Sequence, residues 1–446
     1  MNSLNEKEYQ ELLKYYRAKN IDEHDFRVQR SLQRIQIMSK SDEVLLGKDI
    51  SKLLPRPIDN IAPIVSFLTG PLDFMLKYAL LDGRTPSNLD SYSFPYKLPG
   101  LETIDLAFDF FWVPALGFTQ HDLTAVMQQF CHRDNAALLL SHGDDTLLVY
   151  ISDGRILMME SDLSACDRSL TKPALTFERD IIDYCLQLAG CDDRFFASNR
   201  VAYKLNFADR KINEVTVSLR GDAQRPTGCT RTSLMNTVLT AFPILLYHLE
   251  HKNANCFRLL ETHPEQFSAY YRVHGLDAKV KLHHGSVNNF PTGTFLKGVW
   301  LHSDCGELAW TRLPSMALKM FKTLKPLPAL TKRFRSEKVS LDDARRRYCV
   351  MLATSWVSFD LPHGIRQWVD KWANVDPTLP SLALDGRVCS GELSLYSFSN
   401  ARALTSLSEH YGVDVDLFID WCDRFANLEP GEGYVHPMWP VLSRDY

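Results

Sequence analysis

The apolar positions fall into two registers along the chain. Between Ala136 and Asp162 two uninterrupted apolar runs, AALLL and TLLVYI, flank SHGDD, and a third, ILMMESD, follows the turn SDGR. Short runs bounded by Gly- and Asp-containing turns predict strand, turn, strand, turn, strand, which is an antiparallel meander. After Cys229 the spacing changes: Leu234, Val238, Phe242 and Leu245 recur at helical intervals and predict a helix. Its most apolar stretch, Leu239 to Leu249, holds Pro243 and His248 and reads as a buried helix. Helical patterns return at 341–357, 364–373 and 413–427, the last capped by Asp414 or Asp416, so the segment from about 308 onward reads as a separate helical lobe. Ahead of the meander the pattern is mixed. A helix is predicted over 6–18, then a basic stretch through Arg27, Arg30 and Arg34, then loops punctuated by Pro55, Pro57, Pro71 and Pro95. No repeat or long biased linker divides the chain, which predicts interwoven lobes.

Composition narrows the classes. With 446 residues and 45% hydrophobic content, the chain can bury more than one core. The balance of 50 basic and 54 acidic residues, a net charge of -4, gives no global positive field, so any grip on a polyanion must come from local clusters. The ten cysteines are scattered singly, and even Cys185 and Cys191 lack the spacing of a zinc or redox motif, as expected in a reducing cytosol. The first twenty residues contain no apolar core of a signal peptide, and no run approaches the roughly eighteen apolar residues of a membrane span. The expectation is a cytoplasmic chain with no transmembrane segment.

Three motifs carry chemistry. Asp144 and Asp145 follow Gly143 at the predicted hairpin tip, where glycine permits the turn and two hard carboxylates suit Mg²⁺. Other Asp-Asp pairs, Asp192–Asp193 and Asp342–Asp343, read better as solvated turns or helix caps. In SDLSACDRSL, Asp162 ends a strand and Asp167 lies five positions later, on the following turn. In RPTGCTRTSLMNTV, Thr227 and Gly228 form a loop entering a helix on which Thr232 and Asn236 share one face, suited to reading sugar hydroxyls.

Together these residues resemble the viral RNA-dependent RNA polymerase family. Asp162 and Asp167 match its motif A, and Thr227, Gly228, Thr232 and Asn236 match motif B, with threonine in place of the usual serine. Gly143, Asp144 and Asp145 match motif C. Here the Gly-Asp-Asp precedes motif A, an order similar to that of the permuted polymerases of permutotetraviruses and birnaviruses. Weaker matches extend the resemblance over roughly residues 45 to 300. Lys48, Lys52 and Arg56 resemble motif F, which neutralises the incoming triphosphate. Lys279 and Lys281 resemble motif D, which supplies a general acid. Phe295, Leu296 and Lys297 resemble motif E, which supports the primer end.

The resemblance implies an α+β right-hand polymerase with permuted connectivity, its antiparallel palm sheet backed by helices. Fingers would occupy 1–130, the palm 131–305 with a fingers insertion at about 170–222, and a helical thumb 306–446. The fingertips are abbreviated relative to the family, or the chain is part of a larger product. The catalytic and metal-binding residues would be Asp144, Asp145 and Asp162, holding two Mg²⁺ or Mn²⁺ ions roughly 3.5 to 4 Å apart for in-line nucleotidyl transfer. Asp167 and Asn236 would bond the ribose 2′-hydroxyl, supported by Thr232. Implied partners are an RNA template and nascent strand, nucleoside triphosphates and other viral replication proteins. The implied location is the host cytoplasm, at membrane-associated replication complexes. Template contact would come from Lys319, Lys322, Lys325, Lys332, Arg333 and Arg335, with Arg345, Arg346 and Arg347 as a second cluster. The rivals are a non-catalytic palm-derived RNA-binding protein and a reverse transcriptase.

Overall fold

The computed structural model describes residues 22–39, 57–80, 109–163, 170–212, 214–219, 223–227, 229, 231–251, 256–273, 275–315, 340–357, 359–376, 396–429, 432 and 434–442. In chain order the first elements are α1 (Phe26–Gln33), β1 (Arg34–Ser39), β2 (Pro57–Asn60), α2 (Pro63–Leu80), β3 (Asp109–Pro114) and α3 (Gln120–Cys131). The meander follows as β4 (Ala136–His142), β5 (Asp145–Ser152) and β6 (Arg155–Leu163). Next come α4 (Lys172–Leu188), α5 (Asp193–Leu205), β7 (Asp209–Ile212), β8 (Val215–Val217), α6 (Arg231–Glu250), α7 (Cys256–Thr262) and α8 (Glu265–Val273). The remainder comprises β9 (Ala278–Ser286), β10 (Gly298–His302), β11 (Leu308–Arg312), α9 (Leu341–Trp356), α10 (His363–Ala373), α11 (Ala401–Tyr411), α12 (Val415–Ala426) and α13 (Met438–Leu442).

The fold is a mixed α+β arrangement with mainly antiparallel sheets. A central five-stranded sheet runs β3-β4-β5-β6-β9, and a second sheet of four short strands runs β2-β1-β7-β8. The turn residues set the meander. Asp153 and Gly154 both take positive φ (50° and 71°), the twist a two-residue Asp-Gly hairpin requires. At the other turn Gly143 takes φ 62°, and His142 pairs with Asp145 around the Gly143–Asp144 tip.

Each meander strand is apolar on both sides because both sheet faces are covered. Ala137, Leu139, Leu148, Leu157 and Met159 face α6 and α8 in one core. Leu138, Leu140, Leu147, Val149 and Met158 face α3 and the β10–β11 hairpin in another. Among the described residues, α6 alone has the length and composition of a membrane span, yet 61% of that stretch is buried within the fold. A third core joins α9 to α13 around Trp356, Trp368, Trp372 and Trp421. There α10 and α12 cross so closely that a Cβ at Gly364 would stand 2.4 Å from the Cys422 carbonyl oxygen.

The helices expected at 341–357, 364–373 and 413–427 are α9, α10 and α12, and Asp414 accepts from the Asp416 amide as the cap. Asp192 likewise caps α5, and Asp342 and Asp343 occupy the first turn of α9. The helix expected at 6–18 lies outside the described residues.

Four expectations need correction. Pro71 lies inside α2, where burial of Val65, Leu68 and Leu72 outweighs the hydrogen bond proline forfeits. The irregular lobe up to residue 130 contains β3, a buried strand that joins the sheet beside β4. That pairing is parallel, so the sheet is not wholly antiparallel. The segment expected to be helical from about 308 begins instead with β11, the second strand of the β10–β11 hairpin. That hairpin belongs to both sides: Trp300 and Trp310 pack toward the central sheet, Val299 and Ala309 toward the helical core.

Candidate active site at the end of the central sheet

Register brings the sequence motifs together. Asp145 on β5 stands directly opposite Asp162 on β6, and Asp162 stands opposite Lys279 on β9. Directly opposed residues carry Cβ atoms about 4.5 to 5.5 Å apart on one face of a sheet. Asp144 is exposed at the hairpin tip, Asp145 is half-buried beside it, and Lys279 is exposed. The side chain of Asp162 lies outside the described residues; its strand position is what the register fixes. Further along the same face Lys281 opposes Glu160 and is also exposed. Of the two lysines, Lys279 is therefore the one opposite Asp162 in the register.

The 290–295 segment covers this face next to the acidic positions. Gly293 lies so close over Met158 and Leu147 that a Cβ there would meet the Met158 sulfur at 2.9 Å. The next amide, that of Thr294, donates to Glu160 at 3.1 Å, and His283 Nε2 lies 3.1 Å from the same carboxylate oxygen. Burial alone would raise the Glu160 pKa, but the bonds from His283 and Thr294 outweigh it and hold the carboxyl at about 2. Glu160 is thus a fixed anion tying β6, β9 and the 290–295 segment together. Beyond it the sheet end carrying Asp145 and Asp162 continues.

Behind the sheet, α6 grips the hairpin tip. Gly143 N–H donates to Thr237 Oγ1 at 2.8 Å, and Thr240 Oγ1 donates to the Gly143 carbonyl at 3.1 Å. Asn236, 4% exposed, immediately precedes Thr237 on that helix. Below the tip, Thr146 and Ser161 hydroxyls bond each other and approach Tyr271 Oη at 3.5 and 3.4 Å, and Tyr271 donates to the Thr240 carbonyl at 3.2 Å.

The loop leading into α6 is framed by buried charge. Arg225 pairs with Glu178 on α4, and Arg231 pairs with Asp73 on α2 at 2.8 Å and reaches Asn199 on α5 at 2.6 Å. Asp59 on β2 pairs with Arg210 at 3.0 Å and accepts from the Thr227 amide at 3.1 Å, while its own amide donates to Thr227 Oγ1 at 3.0 Å. Thr232 Oγ1 donates to the Pro226 carbonyl at 2.8 Å, so this hydroxyl closes the loop.

At the third segment, Leu296 and Lys297 form the two-residue turn before β10 with φ 53° and 60°. Both are ill suited to that region, which makes the turn a strained one. Phe295 is 1% exposed and belongs to the core, leaving Leu296 and exposed Lys297 at the tip. Asp167, Gly228, Lys48, Lys52 and Arg56 lie outside the described residues, as does the basic run from Lys319 to Arg335. Arg345 and Arg347 pair with Asp342 and Asp343 on their own helix, and Arg346 lies 5.8 Å from the Trp372 ring, so this cluster is engaged in holding α9.

Sequence reading missed Thr237, Thr240, Glu160 and the three buried arginine pairs. The two threonines had a signal, since they extend the polar positions after Asn236. The ion pairs had none, because their partners are far apart in the chain. Among the described residues no three His, Cys, Asp or Glu side chains cluster for a metal, a count that omits the side chain of Asp162. The donor set still fits a hard divalent cation, because it offers carboxylates at adjoining positions of one sheet end. Compared with protein-family models and with curated proteins, the chain matches none.

Proposed function

We propose that this chain is an RNA-dependent RNA polymerase of an RNA virus, with permuted palm motifs. The observation that carries the reading is the register that sets Asp145 opposite Asp162 while the Gly143 tip is gripped by the helix bearing Asn236. Residues from three stretches separated in sequence thereby meet at one sheet end, which supports the reading. In this reading the central sheet with α6 and α8 is the palm. The β2-β1-β7-β8 sheet with α1, α2, α4 and α5 is the fingers, and α9 to α13 are the thumb.

Asp144, Asp145 and Asp162 would hold two divalent ions, Mg²⁺ or Mn²⁺, which when bound supply Lewis acidity for transfer of a nucleotidyl group to an RNA 3′-hydroxyl. In this reading the protein's own share falls to side chains near the same sheet end. Lys279, exposed and opposite Asp162 in the register, would in this reading give a proton to the leaving pyrophosphate. Asn236 offers an amide to the ribose, and a site that bonds a hydroxyl rejects a sugar lacking it. Leu296 and Lys297 present a rigid turn to the primer end. RNA template and nascent strand, nucleoside triphosphates and other viral replication proteins are the partners of this reading. Its location is the host cytoplasm, at membrane-associated replication complexes.

The test is template-directed incorporation with Mg²⁺ or Mn²⁺, comparing the natural chain with Asp144→Ala. Template-dependent RNA synthesis that falls at least about a hundredfold in the variant is expected, since a lost metal ligand removes several kcal/mol of charge stabilisation. RNA binding without product would sink the reading in favour of a non-catalytic palm-derived protein. Product from deoxynucleotides alone would favour a reverse transcriptase.

A further inference from the structure

A two-residue hairpin tip at the margin of a sheet ordinarily has little beyond its own strands to hold it. The Gly143–Asp144 tip differs, because both backbone polar groups of Gly143 are taken by side chains of one helix. The Thr237 hydroxyl donates to the Ser233 carbonyl at 2.7 Å, which commits its proton and leaves its oxygen to accept from Gly143 N–H. Thr240 donates to the Gly143 carbonyl, and its own carbonyl is held from the far side by Tyr271 on α8. Thr237 and Thr240 are each fully buried, so water cannot replace either hydroxyl.

We infer that Thr237 and Thr240 are positioning residues that fix the carboxylates of Asp144 and Asp145 for cation binding. The inference rests on the polymerase reading for the use of that cation. Without the hydroxyl pair the Gly143–Asp144 tip drifts on its strands and carries Asp144 and Asp145 with it. Asn236 neighbours Thr237 on this helix and is the residue the polymerase reading assigns to the ribose, so sugar selection and metal retention fall to different side chains.

The experiment titrates Mn²⁺ into the full chain by electron paramagnetic resonance, for the parent, Thr237→Val, Thr240→Val and Thr237→Ser. Valine keeps the volume and removes the hydroxyl; serine keeps the hydroxyl. The expected result is Mn²⁺ binding weakened about tenfold in each valine variant, the scale of a buried donor or acceptor left unmet, and restored in Thr237→Ser. In primer extension the valine variants should need correspondingly more metal while keeping the parent's ratio of ribonucleotide to deoxyribonucleotide incorporation. Unchanged Mn²⁺ binding in both valine variants overturns the inference, as does a loss that serine fails to restore or one accompanied by lost sugar discrimination. A parent that binds Mn²⁺ through the grip but makes no RNA refutes the polymerase reading and leaves the positioning role standing. A parent that binds no Mn²⁺ overturns both.

Discussion

Glu160→Gln removes one charge and keeps the shape of the side chain, and its cost can be worked from the geometry. The Glu160 carboxyl, ordinarily titrating at 4.5, is held at about 2 by His283 and Thr294 against the opposing effect of burial. Because the folded value lies below the unfolded one, the stabilisation is complete above pH 4.5 and is lost as pH falls toward 2. The gap, at about 1.36 kcal/mol per pH unit, amounts to about 3 kcal/mol. The side chain is 22% exposed, so solvent screening takes only a small part of that figure. At pH 3, about 2 kcal/mol of it should be gone. The assay is urea unfolding followed by tryptophan fluorescence from pH 7 to pH 3, for the natural chain and the variant. At neutral pH the variant should be less stable by about 2 to 3 kcal/mol, and the two stabilities should converge as the medium is acidified. The two proteins differ only at this side chain and its bond to His283, so acid effects elsewhere in the molecule cancel in the difference. Stability curves that run parallel over the whole range would refute the argument that this carboxylate ties β6, β9 and the 290–295 segment together.

Three further outcomes are expected. Gly143→Ala should cost about 1 to 2 kcal/mol through its φ of 62° alone, since a Cβ there meets no atom within 4 Å; Gly143→Asn should cost less, and equal thermal shifts for the two would contradict this. Leu296→Asn combined with Lys297→Gly should relieve the strained turn and raise the melting temperature, while slowing primer extension if the tip supports the primer; a lower melting temperature would show that no strain was stored there. Asp73→Ala leaves Arg231 buried without its carboxylate and should cost about 3 to 5 kcal/mol, read by denaturant unfolding; a cost under about 1 kcal/mol would mean the pair does not anchor α6.

What was legible in the sequence was local. The Asp153–Gly154 turn, the apolar runs beside it and the Asp414 cap each depend on neighbouring residues, and each is found where the pattern predicts. The placement of Asp145 opposite Asp162 follows from one turn and one register, so it too could be read. What could not be read depends on distant partners. Arg231 meets Asp73 from 158 positions away, and Thr227 meets Asp59 from 168. Pro71 looks like a breaker until the apolar neighbours that hold α2 in place are known. The strand LAWTR alternates too briefly to announce itself, and it is settled by Trp310, whose amide donates to Thr124 on α3 at 2.9 Å.

The meander has one more consequence, for the order in which the molecule assembles. Its three strands are joined by two-residue turns, so the acidic half of the site is built from contacts close in sequence, which form early and at little entropic cost. The helix that grips the Gly143 tip comes much later in the chain and is itself held by a distant partner, Arg231 pairing with Asp73. The strands that carry Asp144, Asp145 and Asp162 are thus joined by local contacts, whereas the hold on their tip depends on a partner 94 positions away.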